Sequence, residues 1–119
     1  MIRMKHLRVF ACILGLLLCG CIPAPAALAS FYGEEHRGML MANGRPFDPD
    51  RLTAASWFLP LGARVRVSHA GRSVLVTITD RGPAWRLVRQ GRAIDLSAAA
   101  FRRIANPRLG LVEVKLQPQ

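Results

Sequence analysis

The chain of 119 residues has room for one domain at most. It carries 17 Lys or Arg against 7 Asp or Glu, a formal net charge of +10, which favours anionic partners. All three cysteines, Cys12, Cys19 and Cys21, lie near the N-terminus. The rest of the chain therefore has neither a disulfide framework nor thiol chemistry.

The N-terminal segment is typical of a secretory signal peptide. Met1–Arg8 is basic, Val9–Leu18 is apolar, and small residues follow. The apolar run is too short to span a bilayer as a mature helix. Two processing sites are open. Ala27-Leu28-Ala29 suits ordinary signal peptidase, whereas Leu18-Cys19-Gly20-Cys21 resembles a bacterial lipobox that would leave Cys21 as a lipidated N-terminus.

The charge outside this segment comes almost entirely from arginine. Without Arg3, Lys5 and Arg8, 14 of the 17 basic residues remain against the 7 acids, which leaves a net charge of +7, and 13 of those 14 are arginine. Arginine binds carboxylates with two parallel hydrogen bonds, and a bacterial cell wall is rich in carboxylates. No recognition-helix or RNP-type pattern is present, so we predict no nucleic-acid partner. We predict an exported cell-envelope protein with a signal peptide and short tether over 1–29 and a folded domain over 30–116.

Strands dominate the domain when its elements are taken in chain order. Ser30–Tyr32 is short and aromatic, and Asp50–Ser56 is compatible with one helical turn. Arg64–Ser68 alternates polar and apolar residues, the period of a half-buried strand. A turn at His69–Arg72 then leads into a second alternating strand, Ser73–Thr79, with Val74, Val76 and Ile78 on one face.

The last third of the chain predicts one helix and one strand. The helix covers Asp95–Ile104, with Asp95 or Ser97 as its N-cap. Leu111–Leu116 is rich in strand formers and predicts the final strand. Short strands with irregular connections and one or two small helices predict a mainly β domain in the form of a compact barrel.

Three clusters of polar residues are candidates for chemistry, and they span 32–36, 42–48 and 79–83. The histidines are scattered, so we predict no metal site and no cofactor. Asp80 ends a largely apolar strand, where partial desolvation raises the pKa of a carboxyl group. A carboxylic acid that stays protonated near neutrality can protonate a glycosidic oxygen. Asp followed by Gly and Pro is equally common in turns, so the residues alone leave both interpretations of Asp80 open.

Seven short strings, in this order, resemble one known family, the rare lipoprotein A family of bacterial septal-ring lytic transglycosylases. The resemblance covers the chain from about Ala29 to Leu116. The strings are Ala29-Ser30-Phe31-Tyr32-Gly33, Ala42-Asn43-Gly44, Phe47-Asp48-Pro49, Leu52-Thr53-Ala54-Ala55, Leu59 through Val67, Thr79-Asp80-Arg81-Gly82-Pro83 and Gly91 through Ser97.

The resemblance implies a six-stranded double-psi β-barrel, an architecture shared with expansin N-terminal domains. It also implies a monomer that binds peptidoglycan glycan strands. The implied reaction cleaves the MurNAc–GlcNAc β-1,4 bond without water and leaves a 1,6-anhydro end. Members are often lipoproteins, which favours lipidation and a membrane anchor at Cys21. Many carry a C-terminal peptidoglycan-binding repeat domain, and no such domain is predicted in this sequence.

The resemblance also assigns roles to individual residues. Asp80 matches the family's catalytic aspartate and Asp48 its second aspartate, which would stabilise positive charge on the sugar ring. Tyr32 matches a groove tyrosine suited to stacking on a sugar. The remaining predicted substrate contacts are Asn43, Arg45, Arg81 and Trp85. For Trp57 we predict packing in the core, with stacking on a sugar as the alternative.

Two departures from the family pattern bear on activity. Arg45 stands where active members have an acid after Ala-Asn-Gly, and Ser56 stands where they have a histidine after Thr-Ala-Ala. The first hypothesis remains a lytic transglycosylase. The alternative is a non-catalytic, expansin-like module that binds the wall, and a third possibility is a protein-interaction domain at the division site.

Overall fold

The computed structural model describes residues 27–119. The predicted signal peptide and the predicted lipidation site, Cys21, lie outside these residues. Within them, no helix has the length and apolar character needed to cross a membrane.

Six strands form a closed barrel, which confirms the expected strand number and the mainly β class. The order around the barrel is β1-β5-β2-β4-β3-β6. The pairs β1–β5 and β2–β4 are parallel, and the other four pairs are antiparallel. The strands are β1 (Ala27–Tyr32), β2 (Thr53–Ala55), β3 (Arg64–His69), β4 (Arg72–Asp80), β5 (Arg92–Ser97) and β6 (Val112–Pro118).

Two short helices and two single 3₁₀ turns complete the domain. The helices are α1 (Trp85–Val88) and α2 (Ala98–Ile104), and the 3₁₀ turns are Glu34–His36 and Pro107–Leu109. Helix α2 packs against the barrel through the fully buried Phe101, whose ring centroid lies 4.6 Å from that of Phe31 on β1. The prediction of one or two small helices is therefore confirmed.

The barrel interior is filled by alternate residues of the strands, because successive side chains of a strand point to opposite faces. The three residues predicted to share one face of β4, namely Val74, Val76 and Ile78, are all buried. They meet a set of aliphatic side chains from the other strands and from α2: Val65, Val67, Ile94, Leu96, Ile104, Val112 and Val114.

The turn predicted between the two alternating strands is confirmed as a two-residue hairpin. His69 pairs with Arg72, and Ala70 and Gly71 between them have φ of 47° and 81°. Positive φ at both positions is what a type I′ turn requires, and this turn matches the twist of the strands it joins.

Two predicted elements are wrong. Asp95–Ser97 belongs to β5 and not to a helix, which begins only at Ala98. The physical reason is the alternation of buried Ile94 and Leu96 around Asp95, since both aliphatic side chains point into the barrel. The helical turn expected in Asp50–Ser56 is replaced by β2, which lies between β4 and β5.

Strand β1 begins at Ala27, three residues before the predicted start of the domain. Ala27, Leu28 and Ala29 supply every β1 partner of β6, opposite Val114, Glu113 and Val112. Ala29 is fully buried in the core. These three residues are therefore part of the barrel wall, although the sequence analysis had assigned them to the signal peptide or the short tether.

Candidate functional site

Asp80 lies at the C-terminal end of β4, where two loops meet. Its carboxylate Oδ1 accepts hydrogen bonds from the backbone N–H groups of Ala42 at 2.9 Å and Arg81 at 2.8 Å. Its backbone carbonyl accepts a third from the N–H of Ser56 at 3.1 Å. No hydrogen bond to Oδ2 is present among residues 27–119. The carboxylate is thus held in place through one oxygen while the other remains available.

Strand pairing places a second carboxylate on the same face of the sheet as Asp80, with one strand between them. Ala55 of β2 pairs with Asp80 of β4 on one side and with Asp95 of β5 on the other. Asp95 in turn pairs with Ser30 of β1. Directly opposite residues in a sheet project to the same face, so the row Ser30, Asp95, Ala55 and Asp80 crosses four neighbouring strands on one face.

Asp95 is a candidate acid that the sequence prediction assigned only to a helix cap. Burial raises the pKa of its carboxyl group, and three weaker influences oppose this: the hydrogen bond donated by the Ser30 hydroxyl and the positive charges of Arg92 and His36. The alternation of Ile94, Asp95 and Leu96 was the available signal, because it marks a strand with a polar residue facing away from the core. Nowhere in residues 27–119 do three His, Cys, Asp or Glu side chains converge as a metal site requires.

Tyr32, the predicted sugar-stacking residue, lies next to both carboxylates. Its ring stacks on that of Phe47 with centroids 4.2 Å apart, and His36 meets it edge-on at 5.5 Å. Burial raises the pKa of its hydroxyl, and the charges of Asp80 and Asp95 raise it further. That hydroxyl is buried and has no hydrogen-bond partner in the described part of the chain. Tyr32 is therefore a neutral phenol with one ring face covered by Phe47.

A groove of about 270 Å³ runs beside the loop that bonds to Asp80. Asn43 shapes this loop: its side chain accepts a hydrogen bond from the N–H of Arg45 at 3.0 Å, and its own N–H donates to the carbonyl of Thr79 at 3.2 Å. Three predicted site residues, Asn43, Arg45 and Asp48, thus border one groove. The full lining is Met41, Asn43, Arg45, Pro46, Asp48, Arg51, Thr53 and Thr79.

Asp48 stands in a cluster of ion pairs at the groove. Its Oδ1 accepts the N–H of Asp50 at 2.9 Å and lies 3.4 Å from the guanidinium of Arg37, while Arg51 lies 3.9 Å from Oδ2. All four residues are partly or fully exposed. Asp48 therefore lies in an ion-pair cluster that is accessible to solvent, and its predicted supporting role stays a prediction.

Arg81 and Ser56 build the loop on the other side of Asp80. The Arg81 guanidinium donates to the carbonyls of Ser56, at 2.8 Å, and Leu59. The buried Ser56 hydroxyl accepts the N–H of Phe58 at 3.1 Å. Both side chains hold backbone, so Ser56 does not replace the proton-transfer capacity of a histidine. The predicted contact of Arg81 with substrate stays a prediction.

The two tryptophans stack on each other at the surface. Their ring centroids lie 4.7 Å apart with an angle of 20° between the planes. Trp57 is 38% exposed and Trp85 is 55% exposed. The prediction that Trp57 packs in the core is wrong, because Pro83, whose carbonyl accepts the Trp57 indole N–H at 2.7 Å, holds the ring at the rim.

The closed barrel of two parallel and four antiparallel pairs, with carboxylates at its rim, defines the class of double-psi β-barrel domains. A family model described as lytic transglycolase matches residues 24–116. The chain is 49% identical over 79 residues to the endolytic peptidoglycan transglycosylase RlpA of Yersinia pestis and 40% identical over 91 residues to that of Pseudomonas aeruginosa. The chain belongs to this RlpA-like family of double-psi β-barrel proteins.

The matched region is a small part of these transglycosylases. It spans 21% of the Yersinia protein and 26% of the Pseudomonas protein, and 65% and 75% of this chain. An uncharacterized protein of Synechocystis, ssl3177, is 45% identical over 93 residues, which cover 94% of its length and 76% of this chain.

Solved structures support the same architecture. The Streptomyces papain inhibitor has a TM-score of 0.62 at 26% identity, over 78% of this chain and 91% of the inhibitor. The expansin of Clavibacter michiganensis has a TM-score of 0.61 at 17% identity, over 79% of this chain and 49% of the expansin. At that identity the expansin shows the fold alone.

Proposed function

We propose that this domain binds peptidoglycan glycan strands in the bacterial envelope and cleaves the MurNAc–GlcNAc β-1,4 bond as a lytic transglycosylase. The observation that carries the proposal is the pair of carboxyl groups, Asp80 and Asp95, on either side of Ala55 at the rim of the barrel. Membership of a family whose curated relatives are named endolytic peptidoglycan transglycosylases supports the reaction class.

The proposed reaction needs one proton donor that later accepts a proton. Asp80 in its acid form protonates the glycosidic oxygen, and the bond between this oxygen and C1 of MurNAc breaks. The 6-hydroxyl of the same MurNAc attacks C1 and gives its proton to the Asp80 carboxylate, which restores the acid. No water is consumed, and the product carries a 1,6-anhydro ring. Partial burial raises the pKa of the Asp95 carboxyl group. Asp95 therefore provides a second group that can hold a proton, on β5, with β2 between it and Asp80 on β4.

Digestion of glycan strands tests this proposal. We expect the protein to release anhydro-muropeptides from amidase-treated strands, detected by mass spectrometry, and Asp80→Asn to reduce product at least about 100-fold. Asparagine retains an oxygen for the two N–H donors that hold Asp80, so the fold should survive. Asp50→Asn is the matched control, since this exposed carboxylate pairs with Arg37 beside the groove. Full activity of Asp80→Asn, or the absence of anhydro product, would refute the enzymatic proposal.

A second candidate function is binding without cleavage, as an expansin-like module. Arg45 and Ser56 favour it, because one places a cation where active relatives have an acid and the other is a buried hydroxyl bonded to backbone. This candidate predicts retention on insoluble peptidoglycan that weakens as salt is added, since screening shortens the reach of the arginine charges. It also predicts no released product. Retention that is indifferent to salt would contradict its electrostatic part.

A further inference from the structure

The stacked pair Trp57–Trp85 is an exposed aromatic surface that the reaction proposed above does not use. One face of each indole covers the other, and 38% and 55% of the two residues remain exposed. Contiguous aromatic side chains exposed at a protein surface are a mark of binding sites. The exposed pair is therefore a candidate binding surface.

The pair is held rigidly in place. The Trp57 indole N–H donates to the carbonyl of Pro83 at 2.7 Å, and Pro83 itself is buried. Trp85 is the first residue of α1, and the carbonyl of Trp85 accepts the N–H of Arg89 at 3.1 Å. A surface fixed before the ligand arrives loses little conformational entropy on binding. Both rings are thus preorganised to receive a flat ligand face.

The pair is connected to Asp80 through the loop that follows Ser56 and through the segment that follows Arg81. Trp57 follows Ser56, whose N–H bonds to the Asp80 carbonyl. The Arg81 guanidinium ties this loop to the segment that leads to Pro83 and Trp85. The groove loop reaches Asp80 from the other direction, through the N–H of Ala42. The groove loop and the loop that carries Trp57 are therefore both hydrogen-bonded to Asp80.

We propose that Trp57 and Trp85 form a stacking platform for a pyranose ring of the glycan strand, beyond the units that occupy the groove. The C–H face of a pyranose is apolar and flat enough to cover an indole, while its hydroxyls stay in water. Charge favours this occupant, because Arg86 and Arg89 of the same segment are exposed and form no salt bridge within residues 27–119. They attract the lactyl carboxylates of MurNAc. The inference rests on the glycan-binding part of the proposed function.

Glycan binding measured without turnover tests the platform. In the Asp80→Asn background, we expect Trp85→Ala to weaken retention on amidase-treated glycan strands about five- to tenfold, the loss that one aromatic stacking contact gives. The glycan should also reduce quenching of tryptophan fluorescence by acrylamide when both indoles are present. Phe58→Ala is the matched control: Phe58 is 63% exposed and adjacent in sequence but stacks on neither indole. Loss of the near-ultraviolet circular dichroism couplet in Trp85→Ala, with the same melting temperature, reports that only the stack has changed.

The outcomes separate this inference from the enzymatic proposal. Retention that depends on Trp85, without anhydro product from the wild-type protein, supports the platform and refutes the lyase. Equal retention of the Trp85→Ala and parent proteins, or no retention of either, overturns the platform whether or not product forms. A Trp85-dependent shift in gel-filtration volume, with glycan retention unchanged, assigns the indoles to contact between copies and also overturns it.

Discussion

At the scale of single residues, the site is governed by how each carboxylate is paired. Asp48 faces arginines at the surface, Asp80 receives two backbone N–H groups, and the half-buried Asp95 accepts a hydrogen bond from the Ser30 hydroxyl. Burial disfavours the charged form of a carboxyl group, so the chemical properties of an aspartate depend on how deeply it is buried. Three aspartates on one small barrel are therefore not interchangeable.

Asp95 makes stability depend on pH in a direction opposite to that of a salt-bridged acid. Its pKa in the folded state is raised above the ordinary 3.8. At a pH between the ordinary pKa and the raised pKa, the carboxyl group is protonated in the folded protein and ionised in the unfolded chain. The free energy of unfolding therefore falls as the pH rises from the ordinary pKa to the raised one. We expect Asp95→Asn to raise the melting temperature at pH 7 and to have a smaller effect at pH 4. A larger gain at pH 4 than at pH 7 would contradict the burial argument.

The indole hydrogen bond of Trp57 makes a second prediction. Trp57→Phe keeps an aromatic ring but removes the N–H that bonds to the Pro83 carbonyl. We expect this change to lower the free energy of unfolding by about 1 kcal/mol in urea titration. The indole N–H of Trp85 has no such bond within residues 27–119, so Trp85→Phe should cost less. Equal losses in the two variants would contradict the anchoring role.

Asp80 ends β4, as the sequence predicted, and its catalytic role stays a prediction. Gly82, two residues on, has φ of 156°, and a Cβ there would lie 3.5 Å from Ala55 and 3.6 Å from the Asp95 carboxylate. The backbone after Asp80 therefore passes close to Ala55 and to the Asp95 carboxylate. Local sequence could not reveal Asp95 as a neighbour, because only the pairing of both aspartates with Ala55 brings them together.

At the scale of elements, one serine separates β5 from α2. The fully buried Ser97 hydroxyl accepts the N–H of Ala100 at 3.2 Å as the N-cap and donates to the Arg51 carbonyl at 2.5 Å. The sequence offered Asp95 or Ser97 as the cap, and Ser97 is the one used. Strand β5, which ends at Ser97, was not predicted. An N-cap residue followed by three alanines indicates a helix more strongly than the six residues of β5 indicate a strand.

Ser97→Ala tests this junction. The change removes the cap and one of the two donors to the Arg51 carbonyl, which keeps the N–H of Thr53 at 3.1 Å, so we expect a loss of about 1–2 kcal/mol in the free energy of unfolding. Ser73→Ala is the matched control, since the exposed Ser73 hydroxyl accepts only one bond, from Arg66 at 3.3 Å, and should cost under about 0.5 kcal/mol. Urea titration of both variants gives the comparison. An equal effect of the two changes would show that the cap contributes little.

At the scale of the whole molecule, barrel closure depends on residues that the sequence analysis had assigned to the signal peptide or the short tether. Ala27–Ala29 form all of the β1–β6 pairing. A start at Ser30 leaves β6 paired only with β3 and removes the buried Ala29 from the core. The composition of this stretch suits both a peptidase site and a small-residue strand, so pattern alone could not decide between them.

Trimming experiments follow from this closure. A protein that begins at Ser30 should be less stable than one that begins at Ala27 by at least about 2 kcal/mol, because several backbone hydrogen bonds and a buried side chain are lost. Thermal unfolding of the two forms provides the measurement. Equal melting temperatures would show that the β1–β6 seam is dispensable, and ordinary signal-peptidase cleavage after Ala29 would then be compatible with the fold.

The same seam sets an order of events during synthesis. The chain emerges from its N-terminus, so β1 must wait for β6, whose first residue comes 85 positions after Ala27, before the two can pair. β1 lacks its parallel partner β5 until residue 92 has been made and its antiparallel partner β6 until residue 112, and a strand edge of small apolar residues stays open to other chains for that time. The time during which a nascent chain needs a chaperone is consequently almost the whole time of its synthesis. Linking the first and last strands by circular permutation would shorten that delay.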